Sequence, residues 1–360
     1  MKLTKLSYKD NDWEIKNLEF DKVCLLVGKN STGKSKTLFA IDYLGKLITQ
    51  KTGLYKATEW DITFQEEGDE INYKFRTAYP NGEWAVEYEE IVINERTLLH
   101  RTGPETATIN NLLSHQKDSI YPPANKLVIH TIRDVKKYPF LEDIAIWAEN
   151  SFGFKFGSIG PDRPYNQQEY NLLTVVEEIP ALYKSLNKAG KEQVRNYLDQ
   201  LGYKIEAIDY IEEEKGLAKW LFIKESRLKN YLPHYELSQG MFRSLSLLIF
   251  IEFLTAKRKT ATVVIDDFCE GLDYDRATKL GKIVFDKCEH NNIQLIATSN
   301  DMFLMDVVDI VHWNVLQRNA SIVTALNAKS NPELFEKFRY TGLSNFDFFA
   351  SDYISQKMDK

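Results

Sequence analysis

An α/β fold, with a parallel sheet interrupted by an antiparallel β subdomain and an inserted helical lobe, is predicted by three observations. A short apolar run at 23–27 meets a glycine-rich loop and then a helical pattern. Residues 60–99 alternate around two turn signals, as an antiparallel meander does. Beyond residue 240 a β-branched run, a helical stretch and another apolar run succeed one another, which restores the strand and helix alternation of a parallel sheet.

Taken in order, residues 2–8 and 13–20 read as strands, and Val23-Cys24-Leu25-Leu26-Val27 as a strand buried on both faces. The helical pattern that follows puts Leu38, Ile41, Leu44 and Ile48 on one side. The meander turns at Glu67-Gly68-Asp69 and Pro80-Asn81-Gly82, and the chain is expected to leave the main sheet there. Residues 100–165, punctuated by Pro122-Pro123, Pro139, Gly153, Gly157 and Gly160, carry no assignable period. Helical periodicity returns over 167–201, and two strands, 204–210 and 218–225, flank the acidic turn at 212–216. An apolar helix over 241–254, a strand at 262–265, a helix over 276–289 and a strand at 293–297 complete the pattern. The expected division is an N-terminal lobe at 1–100, an inserted mixed and helical lobe at 101–230, and a C-terminal lobe at 231–360.

Composition excludes several classes of protein. Of the 360 residues 43% are apolar and 27% charged, with 17 Gly and 10 Pro, so the chain is neither disordered nor collagen-like. The longest apolar run, 245–254, is broken by Ser246 and Glu252, short of the roughly 20 residues a membrane span needs, and residues 1–10 lack the apolar core of a leader peptide. A cytoplasmic location with no membrane partner is therefore expected. Cys24, Cys269 and Cys288 show no CxxC spacing, and the six histidines, His100, His115, His130, His234, His290 and His312, are scattered, so neither a disulfide framework nor a zinc site is suggested. A net charge of -6 gives no global nucleic-acid footprint, although Lys29, Lys34, Lys36, Lys46, Lys51 and Lys56 crowd one stretch.

The chemistry starts at Gly28-Lys29-Asn30-Ser31-Thr32-Gly33-Lys34-Ser35, which satisfies G-x-x-x-x-G-K-[S/T] between a buried strand and a helix. Its glycines let backbone amides curl round phosphate oxygens, the helix N-terminus adds positive potential, Lys34 reaches the terminal phosphates and the Ser35 hydroxyl suits Mg²⁺. ATP or GTP is the implied ligand. A second acidic site is required for metal and water, and Val263-Val264-Ile265-Asp266-Asp267 supplies it, with Asp266 toward the metal and Asp267 toward the water. Leu237-Ser238-Gln239-Gly240 opens the apolar helix, where Ser238 and Gly240 offer a hydroxyl and free amides to a γ-phosphate; an N-cap followed by a glycine is the plainer reading.

Together these segments make the chain resemble the ABC-type ATPases, in particular the RecF/SMC-like and OLD-like AAA family heads of DNA repair and anti-phage defence, a P-loop NTPase fold. In that resemblance 28–35 looks like Walker A, 237–240 like the LSGG-type signature, 263–267 like Walker B and Gly271-Leu272-Asp273 like the D-loop. The resemblance implies Mg-ATP, and a homodimer in which Ser238 and Gly240 of one head close on nucleotide held by the other. The interval of about 200 residues between Ser35 and Leu237 leaves room for the subdomain and lobe and argues against a transporter subunit.

Two departures bear on rate. Asp267 stands where the family has glutamate, one methylene longer. Asn300, in Ala297-Thr298-Ser299-Asn300-Asp301, stands where a switch histidine is usual, and an amide can bond a phosphate without shuttling a proton. Gln65 is a weak candidate for the Q-loop glutamine, a solvated strand residue being its alternative. Arg243 reads first as a surface arginine and second as a coupler of nucleotide to subdomain movement. The aromatic tail at 338–349 is expected to dock on its own core, with a partner groove as the alternative. The implied activity is ATP hydrolysis coupled to DNA sensing, repair or defence, with a companion nuclease or toxin. The rival is a slow nucleotide-gated scaffold for such an effector.

Overall fold

The computed structural model describes residues 1–11, 13–159, 179–212 and 219–350. Strands β1 (Lys2–Asp10), β2 (Trp13–Glu19) and β3 (Val23–Val27) precede helix α1 (Lys34–Ile48). The meander follows as β4 (Thr58–Glu66), β5 (Asp69–Ala78), β6 (Ala85–Ile93), β7 (Arg96–Thr102), β8 (Ala107–Asn111) and β9 (Gln116–Ile120). Then come α2 (Pro139–Glu149), β10 (Ser151–Lys155), α3 (Ile179–Ser185), α4 (Lys188–Gln200), β11 (Ile205–Glu212), β12 (Lys219–Glu225) and β13 (Leu232–Pro233). The C-terminal part holds α5 (Gln239–Lys257), β14 (Ala261–Asp266), α6 (Tyr274–His290), β15 (Ile293–Thr298), α7 (Met302–Val307), β16 (Trp313–Asn319), β17 (Ile322–Leu326), α8 (Pro332–Arg339) and α9 (Asn345–Ala350).

Fourteen of the described strands form one sheet, ordered β10-β14-β15-β3-β16-β17-β2-β1-β4-β5-β6-β7-β8-β9. From β10 to β16 neighbours run parallel, while β1 pairs antiparallel with both β2 and β4. The meander therefore does not leave the main sheet as expected: β1 offers both its edges, so hydrogen bonding is continuous from the parallel core into β4. The strand β7 straddles residue 100, and the meander runs on to Ile120. A separate sheet holds β11, β12 and β13. Of the helical stretch expected over 167–201, residues 167–178 lie outside the described residues, and the remainder forms α3 and α4.

Side-chain alternation along the parallel strands divides the interior in two. Val23, Leu25, Val27, Val263, Ile265, Leu295 and Ala297 face one core with α5 and α6. Cys24, Leu26, Val264 and Ile296 face the other with α1, α2 and the meander. Strands covered on both faces read as unbroken apolar runs, which is why β3, β14 and β15 were legible. Helix α5 is long and apolar enough to cross a membrane, the one such helix among the described residues, yet most of its side chains are buried in the first core. It is apolar nearly all round because protein surrounds it. Phe338 and Phe348 are buried in that same core, so the aromatic tail docks on its own chain.

Candidate active site

The loop between β3 and α1 turns through left-handed backbone at Ser31 (φ 64°) and Gly33 (φ 107°), and no side chain caps α1. The first amides of a helix without such a cap are open to an anion. A Cβ on Gly28 would stand 2.5 Å from Thr32 Oγ1 and 3.0 Å from the Leu316 carbonyl; one on Gly33 would stand 2.8 Å from Trp13 Cζ2. Thr32 Oγ1 donates to the Lys29 carbonyl at 2.8 Å, and the Arg318 guanidinium, 4.4 Å from the Trp13 ring centroid, donates to the Ser31 carbonyl at 3.2 Å. The loop is thus braced from β2 and β16.

Lys34 is buried, and its Nζ donates to the carbonyls of Gly28 (2.6 Å) and Lys29 (3.2 Å). Burial lowers its pKa from the ordinary lysine value, and the charges of Asp267 and Asp266 work the other way. Next to it Ser35 Oγ donates to Asp266 Oδ1 at 3.0 Å, across 231 residues of sequence. Parallel pairing brings the ends of β14 and β15 together, so Thr298 Oγ1 donates to the same Asp266 oxygen at 2.7 Å and accepts from the Asp267 amide at 2.9 Å.

Asp267 has left-handed backbone (φ 52°). Its Oδ1 lies 3.5 Å from Asn300 Nδ2, the outer limit of a hydrogen bond, and its Oδ2 lies 3.4 Å from Lys155 Nζ. The structure therefore gathers Lys34, Ser35, Asp266, Asp267 and Asn300 at the ends of the parallel strands. The hydroxyl of Ser35 and the carboxylate of Asp266, with the Thr298 hydroxyl behind, are the hard oxygen donors that Mg²⁺ selects, so these residues fit that ion.

Gly240, at the start of α5, packs against the segment 271–273. Ser238 caps α5, accepting from the Met241 amide at 3.4 Å, and a Cβ on Gly240 would meet Leu272 Cδ2 at 3.1 Å. Asp273 caps α6 through the Arg276 amide at 3.1 Å and ion-pairs with the Arg276 side chain. Gln65 is exposed on β4, paired in register with Lys2 and Glu70, as the solvated-strand alternative anticipates.

Two residues stand differently from the sequence reading. Arg243 is not on the surface: buried within α5, it donates to the carbonyls of Ile159 (2.9 Å), Glu270 (2.9 Å) and Gly157. An all-round apolar helix leaves no solvent face for it, and that pattern was the signal available. Lys155 carries no signal in the sequence, because its strand shows no period of its own and is held by pairing with β14.

No protein-family model and no curated protein matches the sequence. Among solved structures, the chain is similar to an Smc head bound to the C-terminal winged-helix domain of ScpA, at a TM-score of 0.55 and 15% identity, covering 91% of this chain and 98% of that one. It is also similar to an Smc head domain with an extended coiled coil, bound to the C-terminal domain of ScpA derived from Pyrococcus furiosus, at a TM-score of 0.52 and 13% identity, covering 94% of this chain and 99% of that one. The fold is the α/β P-loop fold of ABC-type ATPase heads.

Proposed function

We propose that the chain is an ATP-hydrolysing head of ABC type, active in the cytoplasm, which closes head-to-tail with a second copy over Mg-ATP. The observation that carries this reading is the 3.0 Å contact between Ser35 Oγ and Asp266 Oδ1, which joins the phosphate loop to the acidic strand end where a nucleotide-bound metal is needed. Bound there, Mg²⁺ neutralises phosphate charge and favours attack at the γ-phosphorus. Lys34 exchanges its two loop carbonyls for phosphate oxygens. Asp267 orients the attacking water, and Asn300 donates a hydrogen bond beside it. Ser238 and Gly240, set at the N-terminus of α5, complete the site of the opposite copy.

The cycle is proposed to serve DNA sensing, repair or anti-phage defence, through a companion nuclease or toxin. A second reading, a slow nucleotide-gated scaffold for such an effector, is favoured by Asp267 and Asn300, a carboxylate one methylene short and an amide that cannot shuttle a proton. The deciding experiment measures retention of radiolabelled ATP with magnesium, turnover with and without DNA, and mass in solution with and without ATP. Retention lost in Lys34→Ala, with an ATP-dependent doubling of mass in Asp267→Asn, supports the head. Brisk DNA-stimulated turnover removes the scaffold, and retention unchanged in Lys34→Ala removes both.

A further inference from the structure

We infer that Lys155 is a positioning residue for hydrolysis, holding the Asp267 carboxylate in the orientation from which it aligns water. The inference rests on the ATPase reading above. Strand β10 is the outer strand of the parallel core and pairs with β14 so that Lys155 stands opposite Asp266. Its aromatic residues fix which way the lysine faces. Phe154 meets Phe250 of α5 edge-on at 5.6 Å, and Phe156, beyond the strand, meets Phe268 at 5.6 Å. Both point into the core shared with α5, so alternation turns Lys155 to the opposite side of the sheet, where α1 brings Lys34 and Ser35.

The segments that carry the pair are anchored together. Arg243 bonds the carbonyls of Gly157 and Ile159, just after Lys155, and that of Glu270, just after Asp267. The Glu270 side chain lies over Gly157, where a Cβ would fall 1.9 Å from its Oε2. Asp267 is itself in a backbone region that non-glycine residues seldom adopt, and such strain persists where surrounding contacts over-determine it. Those contacts are Thr298 on the amide, Asn300 on one carboxylate oxygen and Lys155 on the other. Lys155 is half exposed, and an exposed ion pair adds little stability, so the use of this pair lies in geometry.

The test compares Lys155→Met and Lys155→Arg with the parent, as full chains. It reads kcat and KM for ATP, the affinity for trinitrophenyl-ATP with magnesium, and the urea unfolding midpoint without nucleotide. Lys155→Met is expected to lower kcat about tenfold while affinity stays within about twofold and the midpoint is unchanged. Lys155→Arg is expected to recover kcat to within about threefold of the parent. An unchanged kcat in Lys155→Met overturns the inference alone. So does an affinity loss as large as the loss in kcat/KM, which makes Lys155 a phosphate ligand, and so does failure of the arginine to rescue. A parent that binds no ATP, or binds it without turnover, overturns the hydrolytic reading and this inference with it.

Discussion

Thr298 and Asp266 meet at the ends of adjacent parallel strands, the threonine hydroxyl donating to Asp266 Oδ1 across 2.7 Å. The same hydroxyl accepts from the Asp267 amide at 2.9 Å, so one buried side chain holds both the Asp266 carboxylate and the Asp267 backbone. Thr298→Val keeps the shape and removes both bonds. Leaving the amide of Asp267 without a partner is expected to cost about 1–3 kcal/mol in urea unfolding, and ATP turnover is expected to fall about tenfold as both carboxylates lose their reference. Parent-like stability and turnover in the variant would show that Thr298 sets neither.

The phosphate loop was legible because everything that makes it is local: strand, glycines and helix lie within 26 residues, at 23–48. The pairing of that loop with Asp266 was legible from chemistry, since a phosphate-bound metal needs a carboxylate and the strand at 263–265 ends in one, although only the fold brings Ser35 and Asp266 together. Lys155 was not legible. Ser151-Phe152-Gly153-Phe154-Lys155 has a glycine at its centre and becomes a strand through its partner β14. The exit of the meander was misread for a similar reason, because nothing in β4 itself reveals that β1 has a second free edge.

Arg243 gives a second prediction. Its guanidinium spans carbonyls that follow β10 and β14 and ties both to α5. A lysine carries its three donors on one nitrogen, without the planar fork that spreads them toward three separate carbonyls, and it leaves buried acceptors unpaired. Arg243→Lys is expected to lower unfolding stability by about 2 kcal/mol, and Arg243→Met by about 3 kcal/mol or more. Equal midpoints for parent and Arg243→Lys in urea would mean that the fork is dispensable.

The glycines of the phosphate loop separate backbone need from mere flexibility. Gly33→Ala meets two obstacles, a positive φ and Trp13 Cζ2 at 2.8 Å from the new Cβ. Gly53, with nothing within 4 Å of a new Cβ, meets neither. Gly33→Ala is expected to lose more than about 1 kcal/mol and to abolish ATP retention, while Gly53→Ala stays within about 0.5 kcal/mol and binds as the parent does. Thermal unfolding and filter binding on the two variants check this, and a Gly33→Ala protein that retains ATP would contradict the cradle.

The last prediction concerns pH. His130 Nε2 meets the Leu47 carbonyl at 2.9 Å, in the last turn of α1, where helix carbonyls lack intrahelical partners. Burial pushes its pKa down to about 4 from the ordinary 6.5, the carbonyl pulling it up and the charge of Lys126 adding to the fall. Above 6.5 the ring is neutral in folded and unfolded chains alike, and its full contribution is present. As pH drops from 6.5 toward 4 the unfolded chain takes up a proton that the folded one refuses, so stability is lost through that window. The slope from this one group is at most about 1.4 kcal/mol per pH unit. His130→Gln keeps a donor for Leu47 and does not titrate, so its urea midpoint should fall less than the parent's between pH 7 and pH 5. Parallel curves for the two proteins would place the proton uptake elsewhere.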